Sequence, residues 1–433
     1  MAAGHSVDPD RWLTEADRLL GRVAGHVGRV EPRKRLRQFV FAMMAPLPRV
    51  NCWSIAEHAG EACPRGMQRF LSQAAWDQDA VLDEVRDWVA EHLGQTDATL
   101  VIDETGDQKK GTATVGTQRQ YSGTTGRIEN CQVAVYLTYT SNAGHALIGR
   151  SLYLPQSWTD DPERMRAAGV PDEIVFATKP ALARQLIGQT LDAGVPAGSV
   201  TGDEVYGNDP ELRKALHERG ITYVLAVAKT HSIATGIGTR KAVELAVRLK
   251  PDAWNRLSAG KGAKGERWYD WAVVETTDPA AGQAGHHVLL IRRNRKNGEY
   301  AFYRAWTPAP VPVRALVRIA GRRWTIEESF AASKELAALD EHQVRAWTSW
   351  QRWTALAILT HAFLSVMAAT EPVPDPASGL IRLTRNELRR ILTLAIQPVH
   401  DVVHALHWSN WRRTHQARAH QSHVRRQLAT EST

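Results

Sequence analysis

ATLVIDETG, residues 98–106, is the stretch on which the reading of the fold turns. Its apolar run shows no polar alternation and closes on Asp103, which suits a short strand buried on both faces, as in a parallel sheet. A second run of the same type, SVTGD at 199–203, closes on Asp203. Between them, QVAVYLTY (132–139) and HALIGRSLYL (145–154) read as two strands joined by the turn SNAG, and Ala177 to Ala193 reads as a helix. Beyond them come a helix over Asp209 to Arg219 and a strand, TYVLAVA, at 222–228. Ligands of parallel or mixed α/β sheets sit where side chains leave the strand ends. If the two apolar strands are neighbours, Asp103 and Asp203 lie together. A lone Asp after a strand is more often a turn residue or a helix cap, and Glu104 and Glu204, one residue further on, are alternative ligands.

The flanks differ in texture. Residues 10–93 carry helical periodicity, with Trp12, Ala16, Leu19 and Leu20 in one segment and Val81, Val85, Trp88 and Val89 in another. Between these, NCWSIAEHAGEACPRGMQRFL (51–71) has the outline of a helix-turn-helix: Ser54 to Ala59, the turn at Gly60, then Pro64 at a helix start ahead of Met67, Phe70 and Leu71. Arg65, Gln68 and Arg69 fall early on the second helix, where such motifs meet DNA; the alternative is a plain helical hairpin. Lys109 to Asn130 is rich in Gly, Thr and basic residues and reads as a loop. From Lys229 to Trp306 the runs WYDWAVVET, HHVLLIRRN and EYAFYRAW read as an inserted β subdomain, with Arg292, Arg293, Arg295 and Lys296 near a hairpin tip. Helical periodicity resumes from Val313 to Ala369. The apolar stretch 356–369 is broken by Thr360, His361 and Ser365 and reads as a buried helix, not a membrane span. A Pro-rich link, EPVPDPASG, precedes a tail that opens on Thr384-x-x-Glu387 and turns Arg- and His-rich after Trp411. His420 and His423 have no carboxylate or Cys partner in that tail, so no metal site is expected there.

Composition bounds the function. The 433 residues are too many for one compact core. An excess of 54 Lys and Arg over 46 Asp and Glu, a net charge of +8, suggests a polyanionic partner. Three Cys without a CxxC pair exclude a disulfide framework and a Cys-based zinc site as organising features. The N-terminal residues show no apolar segment behind a basic start, so an intracellular location is expected. Trp is over-represented, with 15 against 7 Phe and 9 Tyr; Trp324, Trp347, Trp350 and Trp353, at helical spacings, read as core or interface anchors. Asp160 and Asp161 read as helix-capping residues ahead of Pro162.

The helix GRRWTIEESFAASKELAAL adds a third carboxylate. Arg323 and Glu327 are four apart, Glu327 and Lys334 seven, and both intervals return to nearly the same face, while Glu328 points away. Taken alone, that face fits a solvated, salt-bridged surface. Yet ATLVIDETG, RQYSGTTGRIENCQV, LYLPQSWTDDPERMRAAGVP, VTGDEVYGND, and RRWTIEESF followed by LDEHQVRAW together resemble bacterial insertion-sequence transposases of the DDE type. The likeness is to the insertion-sequence 701 family, related to the insertion-sequence 4 group, and runs from about residue 50 to residue 365.

The resemblance implies an α/β, ribonuclease-H-like catalytic core (97–229 and 310–370) split by a β-rich insertion (230–309). It is flanked by an N-terminal helical domain with a possible helix-turn-helix (1–96) and a helical basic C-terminal region (371–433). It implies that Asp103, Asp203 and Glu327 are the catalytic metal ligands. Arg323 and Lys334 match the family's Tyr-x2-Arg-x3-Glu-x6-Lys signature, whose Tyr position here holds Ala320. Hard carboxylate oxygens suit Mg²⁺, with Mn²⁺ able to substitute, and two such ions serve phosphodiester chemistry. Arg323 and Lys334, the loop cations Lys109, Lys110, Arg119 and Arg127, and Arg65 and Arg69 are then the expected DNA contacts. The partners implied are double-stranded DNA, as terminal inverted repeats and target, and a second copy in the DNA complex, with no membrane; the place implied is the bacterial cytoplasm, at the nucleoid when DNA-bound. Two other readings compete: a domesticated DNA-binding regulator that lost the reaction, and a hydrolase of the glycosidase kind, which the cations beside Glu327 disfavour.

Overall fold

The apolar run at 99–102 lies inside a mixed sheet. The structure is a computed structural model that describes residues 7–123, 126–262, 265–277, 285–396, 398 and 400–431. Its core strands are β1 (Thr99–Gln108), β2 (Gln118–Ser122), β3 (Arg127–Thr140), β4 (His145–Leu152), β5 (Ser199–Gly202) and β6 (Thr222–Val227). β1 runs parallel to β5, Thr99 opposite Ser199 through Ile102 opposite Gly202, and β5 runs parallel to β6. On its other side β1 is antiparallel to β3, which pairs outward with β2 and β4. Residues 99–102 are fully buried, as their unbroken apolar pattern requires.

Two expectations are corrected here. β1 does not stop at Asp103. The longer β3 carries the ladder on, pairing Asp103 with Tyr136 through Gln108 with Cys131, so the polar residues 103–108 are strand without being apolar. Lys109 to Asn130 is likewise not one loop, because Gln118–Ser122 folds back on residues 127–131 as β2.

The insertion contributes a small hairpin, β7 (Ser232–Thr235) with β8 (Gly238–Lys241), a short helix at Ala242–Ala246, and four long strands. These are β9 (Asn255–Gly262), β10 (Gly265–Glu275), β11 (His286–Arg293) and β12 (Tyr300–Thr307). They do not form a separate sheet. β12 pairs antiparallel with β6, Phe302 opposite Val227 to Trp306 opposite Tyr223, and the order β6-β12-β11-β10-β9 continues the core sheet outward. Open-edged β6 is thereby covered.

Five helices precede β1, and among them Asp77 caps Gln78–Leu93 by accepting from the Asp79 and Ala80 amides. Val30–Met44, Arg65–Ser72 and Gln78–Leu93 pack on the 24-residue helix Trp347–Thr370. By length and composition alone that helix could cross a membrane, but it is buried from Ser349 to Met367. The polar residues that interrupt it are bonded: Thr360 Oγ1 donates to Leu356 O at 2.8 Å, and Ser365 Oγ lies 3.3 Å from His361 Nε2. The tail forms helices Arg385–Ile396, where Thr384 Oγ1 accepts from the Glu387 amide, and Val402–Glu431.

Candidate active site

The parallel pairing of β1 with β5 ends at Ile102 and Gly202, so Asp103, still in β1, and Asp203, one residue past β5, follow at one level. The glycine before Asp203 has a steric reason. A Cβ at Gly202 would stand 2.7 Å from Ile102 Cγ2, so a side chain would force the strands apart at the site. Gly207 closes the next turn against β6, where a Cβ would fall 1.8 Å from Ala226 O. Asp203 also acts as a helix cap: its Oδ1 accepts from the Val205 amide at 2.9 Å. Asp103 Oδ1 accepts from the Glu104 amide at 2.8 Å.

The third carboxylate arrives on the helix Trp324–Ala337, which packs on β1, β3 and β4. Arg323, at its N-terminal boundary, joins the groups. One guanidinium nitrogen is 3.5 Å from Asp103 Oδ2 and the other donates to Glu327 Oε1 at 3.0 Å. Lys334 Nζ donates to Thr105 Oγ1 at 2.9 Å, so the Arg-Glu-Lys face lies along β1 and is not a solvated surface. Burial and then the Asp203 charge push the Asp103 carboxyl up to about 7, against the opposing pull of Arg323. Burial and then Glu104 raise Asp203. Among the described residues no three His, Cys, Asp or Glu side chains are gathered into a ready metal cluster; Glu327 is turned to Arg323. In donor type the set fits a hard divalent cation, with carboxylate oxygens crowded on adjoining strands.

The neighbouring carboxylates resolve into other roles. Glu104, on the opposite face of β1 from Asp103 by strand alternation, receives Lys179 Nζ at 2.6 Å and Tyr206 Oη at 2.6 Å. Tyr206 is fully buried three residues beyond Asp203, so this contact ties the two aspartate-bearing segments together. Glu204 is exposed, and Glu328 pairs with His145 at 3.3 Å.

Below Asp103 the same face of β1 carries Thr105 and Asp107. Asp107 Oδ2 lies 3.3 Å from Nε2 of the fully buried His342, and Lys109 Nζ lies 3.3 Å from both that nitrogen and the His342 carbonyl. Burial pushes Asp107 up, but the His342 hydrogen bond and the charges of His342, Lys109 and Lys334 outweigh it, and the net direction is down. Neither this cluster nor Lys179 and Tyr206 was singled out in the sequence, although strand alternation from Asp103 leads directly to Thr105 and Asp107.

The four expected loop cations, Lys109, Lys110, Arg119 and Arg127, line one groove of about 580 Å³. Lys109 turns to His342 and Arg127 pairs with Glu129, while Lys110, Arg119 and Arg127 are exposed. Arg65 and Arg69 are exposed on the helix Arg65–Ser72. The hairpin cations of the insertion are partly engaged: Arg292 lies over Tyr269, Arg293 over Trp254, and Arg293 pairs with Asp270 at 2.9 Å. Asp161 caps its helix, accepting from the Arg164 amide at 2.9 Å. Trp350 and Trp353 are buried, but Trp324 is 44% exposed and is no core anchor, because the helix turns its boundary residue outward. A larger cavity of about 780 Å³, lined by residues such as Leu82, Ile148 and Leu186, includes none of the three carboxylates.

The chain is similar to several known proteins. Residues 22–262 match the family described as DDE superfamily endonuclease, and residues 178–363 match the transposase DDE domain. The two spans together contain Asp103, Asp203 and Glu327. The probable transposase for insertion sequence element IS701 of Microchaete diplosiphon is 28% identical over 193 residues, 44% of this chain and 47% of that protein. The chain thus matches about half the length of that curated relative. A piggyBac transposase, solved by cryo-EM as a synaptic complex with hairpin DNA, aligns at 10% identity with a TM-score of 0.46, over 93% of this chain and 85% of that one. With one family match extending over more than half of its residues, the chain belongs to the DDE superfamily endonucleases.

Proposed function

We propose that this protein is an insertion-sequence transposase that cuts the terminal inverted repeats of its element and joins the freed 3′-hydroxyl ends to target DNA. The observation that supports the reading is that Asp103 and Asp203 follow directly on the last paired residues of two adjoining parallel strands, with Glu327 joined to Asp103 through Arg323. Asp103, Asp203 and Glu327 are the residues that would hold Mg²⁺ or Mn²⁺. When bound, two such ions activate water or a 3′-hydroxyl on one side of a phosphodiester and stabilise the leaving oxygen on the other. The chain's own residues do the rest. Arg323 and Lys334 present cations along the carboxylate face for phosphate oxygens, and Lys110 and Arg119 extend that positive surface along the groove. Arg65 and Arg69 offer a separate contact on the N-terminal hairpin. Two DNA ends processed together call for two copies of the chain, acting on DNA in the cytoplasm and at the nucleoid.

The test uses purified full-length protein and duplexes carrying the element's ends, with Mg²⁺ or Mn²⁺. End-dependent nicking and strand joining are expected, and Asp103→Ala or Glu327→Gln should abolish both. Full activity in either variant would overturn the site. Tight binding of ends without any cleavage by the wild-type chain would favour the regulator.

A further inference from the structure

The last helix, Val402–Glu431, starts as a clamp and ends as a free arm. One of its faces lies on the hairpin formed by Cys52–His58 and Arg65–Ser72. His404 Nε2 donates to Glu57 O at 2.9 Å, His407 Nε2 to Ala62 O at 2.8 Å, and the indole of fully buried Trp408 to Glu61 O at 3.0 Å. His400, just before the helix, donates to His58 O at 2.9 Å. These carbonyls belong to the end of the first hairpin helix and the turn after it, where backbone acceptors lack helical partners. Trp411 and His415 then pack on Trp53, with ring centroids 4.5 and 4.6 Å away, and Arg412 pairs with Glu57.

Beyond His415 the described residues make no docking contact. Residues 416–422, 424 and 425 are exposed, and the helix runs on for about 24 Å at roughly 1.5 Å per residue. No Asp or Glu occurs between Asp401 and Glu431, so the arm has none of the acid–base pairs that support an isolated polar helix. Among the described residues the exposed cations of this helix are Arg413, Arg418 and Arg425, and the hairpin to which it is clamped exposes Arg65 and Arg69. A polar helix segment with no acidic residue before Glu431 and no docking contact among its described side chains favours anionic surroundings. Its free part has no Phe, Tyr or Trp for stacking bases, which disfavours single strands, and a cationic helix fits a duplex groove.

We infer that the hairpin Cys52–Ser72 and the terminal helix form one duplex-DNA-binding head. His404, His407 and Trp408 fix the arm to the hairpin, and Arg413, Arg418 and Arg425 meet phosphates beside those met by Arg65 and Arg69. This rests on the reading of the protein as a DNA transposase and assigns part of its DNA contact to the C-terminal helix.

The test measures affinity of the full-length chain for an end-containing and an unrelated duplex between 50 and 300 mM salt. Replacing the three exposed arm arginines together (R413Q/R418Q/R425Q) should lower the slope of log K against log salt by roughly 2–3 for both duplexes, at about 0.9 per phosphate contact. His404→Ala with His407→Ala, which leaves every arm cation in place, should weaken duplex binding at least threefold. An unchanged slope in the arginine variant overturns the arm's role while leaving end cleavage and the transposase reading intact. An effect confined to single-stranded RNA overturns it as well. If the wild-type chain bound no duplex, the underlying reading would fall first.

Discussion

Asp103 and Asp107 sit on the same strand and the same face, four residues apart, and both are largely buried. Their surroundings are opposite. Asp107 meets His342, with Lys109 and Lys334 near, and is held below its ordinary range. Asp103 meets a second carboxylate, Asp203; Arg323 at 3.5 Å and the Glu104 amide do not offset burial and that charge, and it is pushed up to about 7. Burial alone therefore does not decide what a carboxylate does. One end of the strand face has its negative charge balanced, while the other holds more negative charge than its cation offsets, the imbalance that clusters at reactive sites.

The sharpest way to break this comparison is to neutralise each group in turn. Asp103→Asn should reduce DNA cleavage by roughly 10⁴-fold, the scale seen when one member of a catalytic set is lost. Because it relieves the repulsion with Asp203, it should leave thermal stability unchanged or raised. Asp107→Asn should do the reverse, costing about 1–3 kcal/mol of stability in urea unfolding as buried His342 loses its anionic partner, with the smaller loss of cleavage. If Asp103→Asn unfolds the chain and Asp107→Asn leaves it stable, the two positions have been assigned the wrong way round.

Tyr206→Phe tests the brace between the aspartate segments. Loss of a buried hydrogen bond to a charged group should cost about 1.5–3 kcal/mol in the same unfolding measurement. A change within 0.5 kcal/mol, on the order of a neutral surface substitution, would show that Glu104 is held by Lys179 alone.

The third prediction concerns acid. Burial lowers the pKa of His145, His342 and, most strongly, His361. Their folded values lie below the unfolded value near ~6.5, so the unfolded chain takes up protons first as pH falls. Their contribution is full above about pH 6.5 and is lost as pH drops through the folded values. Asp107 adds a second stage, full above about pH 3.9 and lost as the pH falls further. Asp103 and Asp203, raised in the fold, act in the opposite sense over the same range. The histidine contribution is therefore read by difference: between pH 7.5 and 5.0 the melting temperature of His361→Gln should fall less, or rise more, than that of the parent chain. An identical slope in that variant would remove His361 from the account.

The smallest effect is expected at the groove. Lys110→Gln should leave stability unchanged and lower the salt slope of duplex binding by roughly 1. No change in slope would exclude Lys110 from phosphate contact.

Much of this was legible because two segments share one pattern, an apolar run followed by Asp, and because Arg323, Glu327 and Lys334 return to one helix face. The Asp107–His342 contact joins residues 235 positions apart, and no local period links them. The extension of β1 past Asp103 was hidden for a related reason, since a polar strand is held there by the length of β3. β9, NRLSAGKG, lacks alternation and exists through pairing with β10. The abundance of Trp also acquires a cause only in three dimensions. The indoles of Trp76, Trp158, Trp353 and Trp408 donate to the carbonyls of Phe70, Thr117, Ala338 and Glu61, so each ring fills volume and ties down a chain segment.

The continuity of the sheet has one further consequence. From β1 the order runs β5, β6, β12, β11, β10, β9, an unbroken series of hydrogen-bonded neighbours. At about 4.8 Å per strand, the outer edge of the insertion stands about 29 Å from the strand that carries Asp103. That span is close to one turn of a DNA duplex, roughly 34 Å. The sheet is thus a ruler graduated in strands. Each residue at its far edge is set at a fixed distance from Asp103, counted in whole strands.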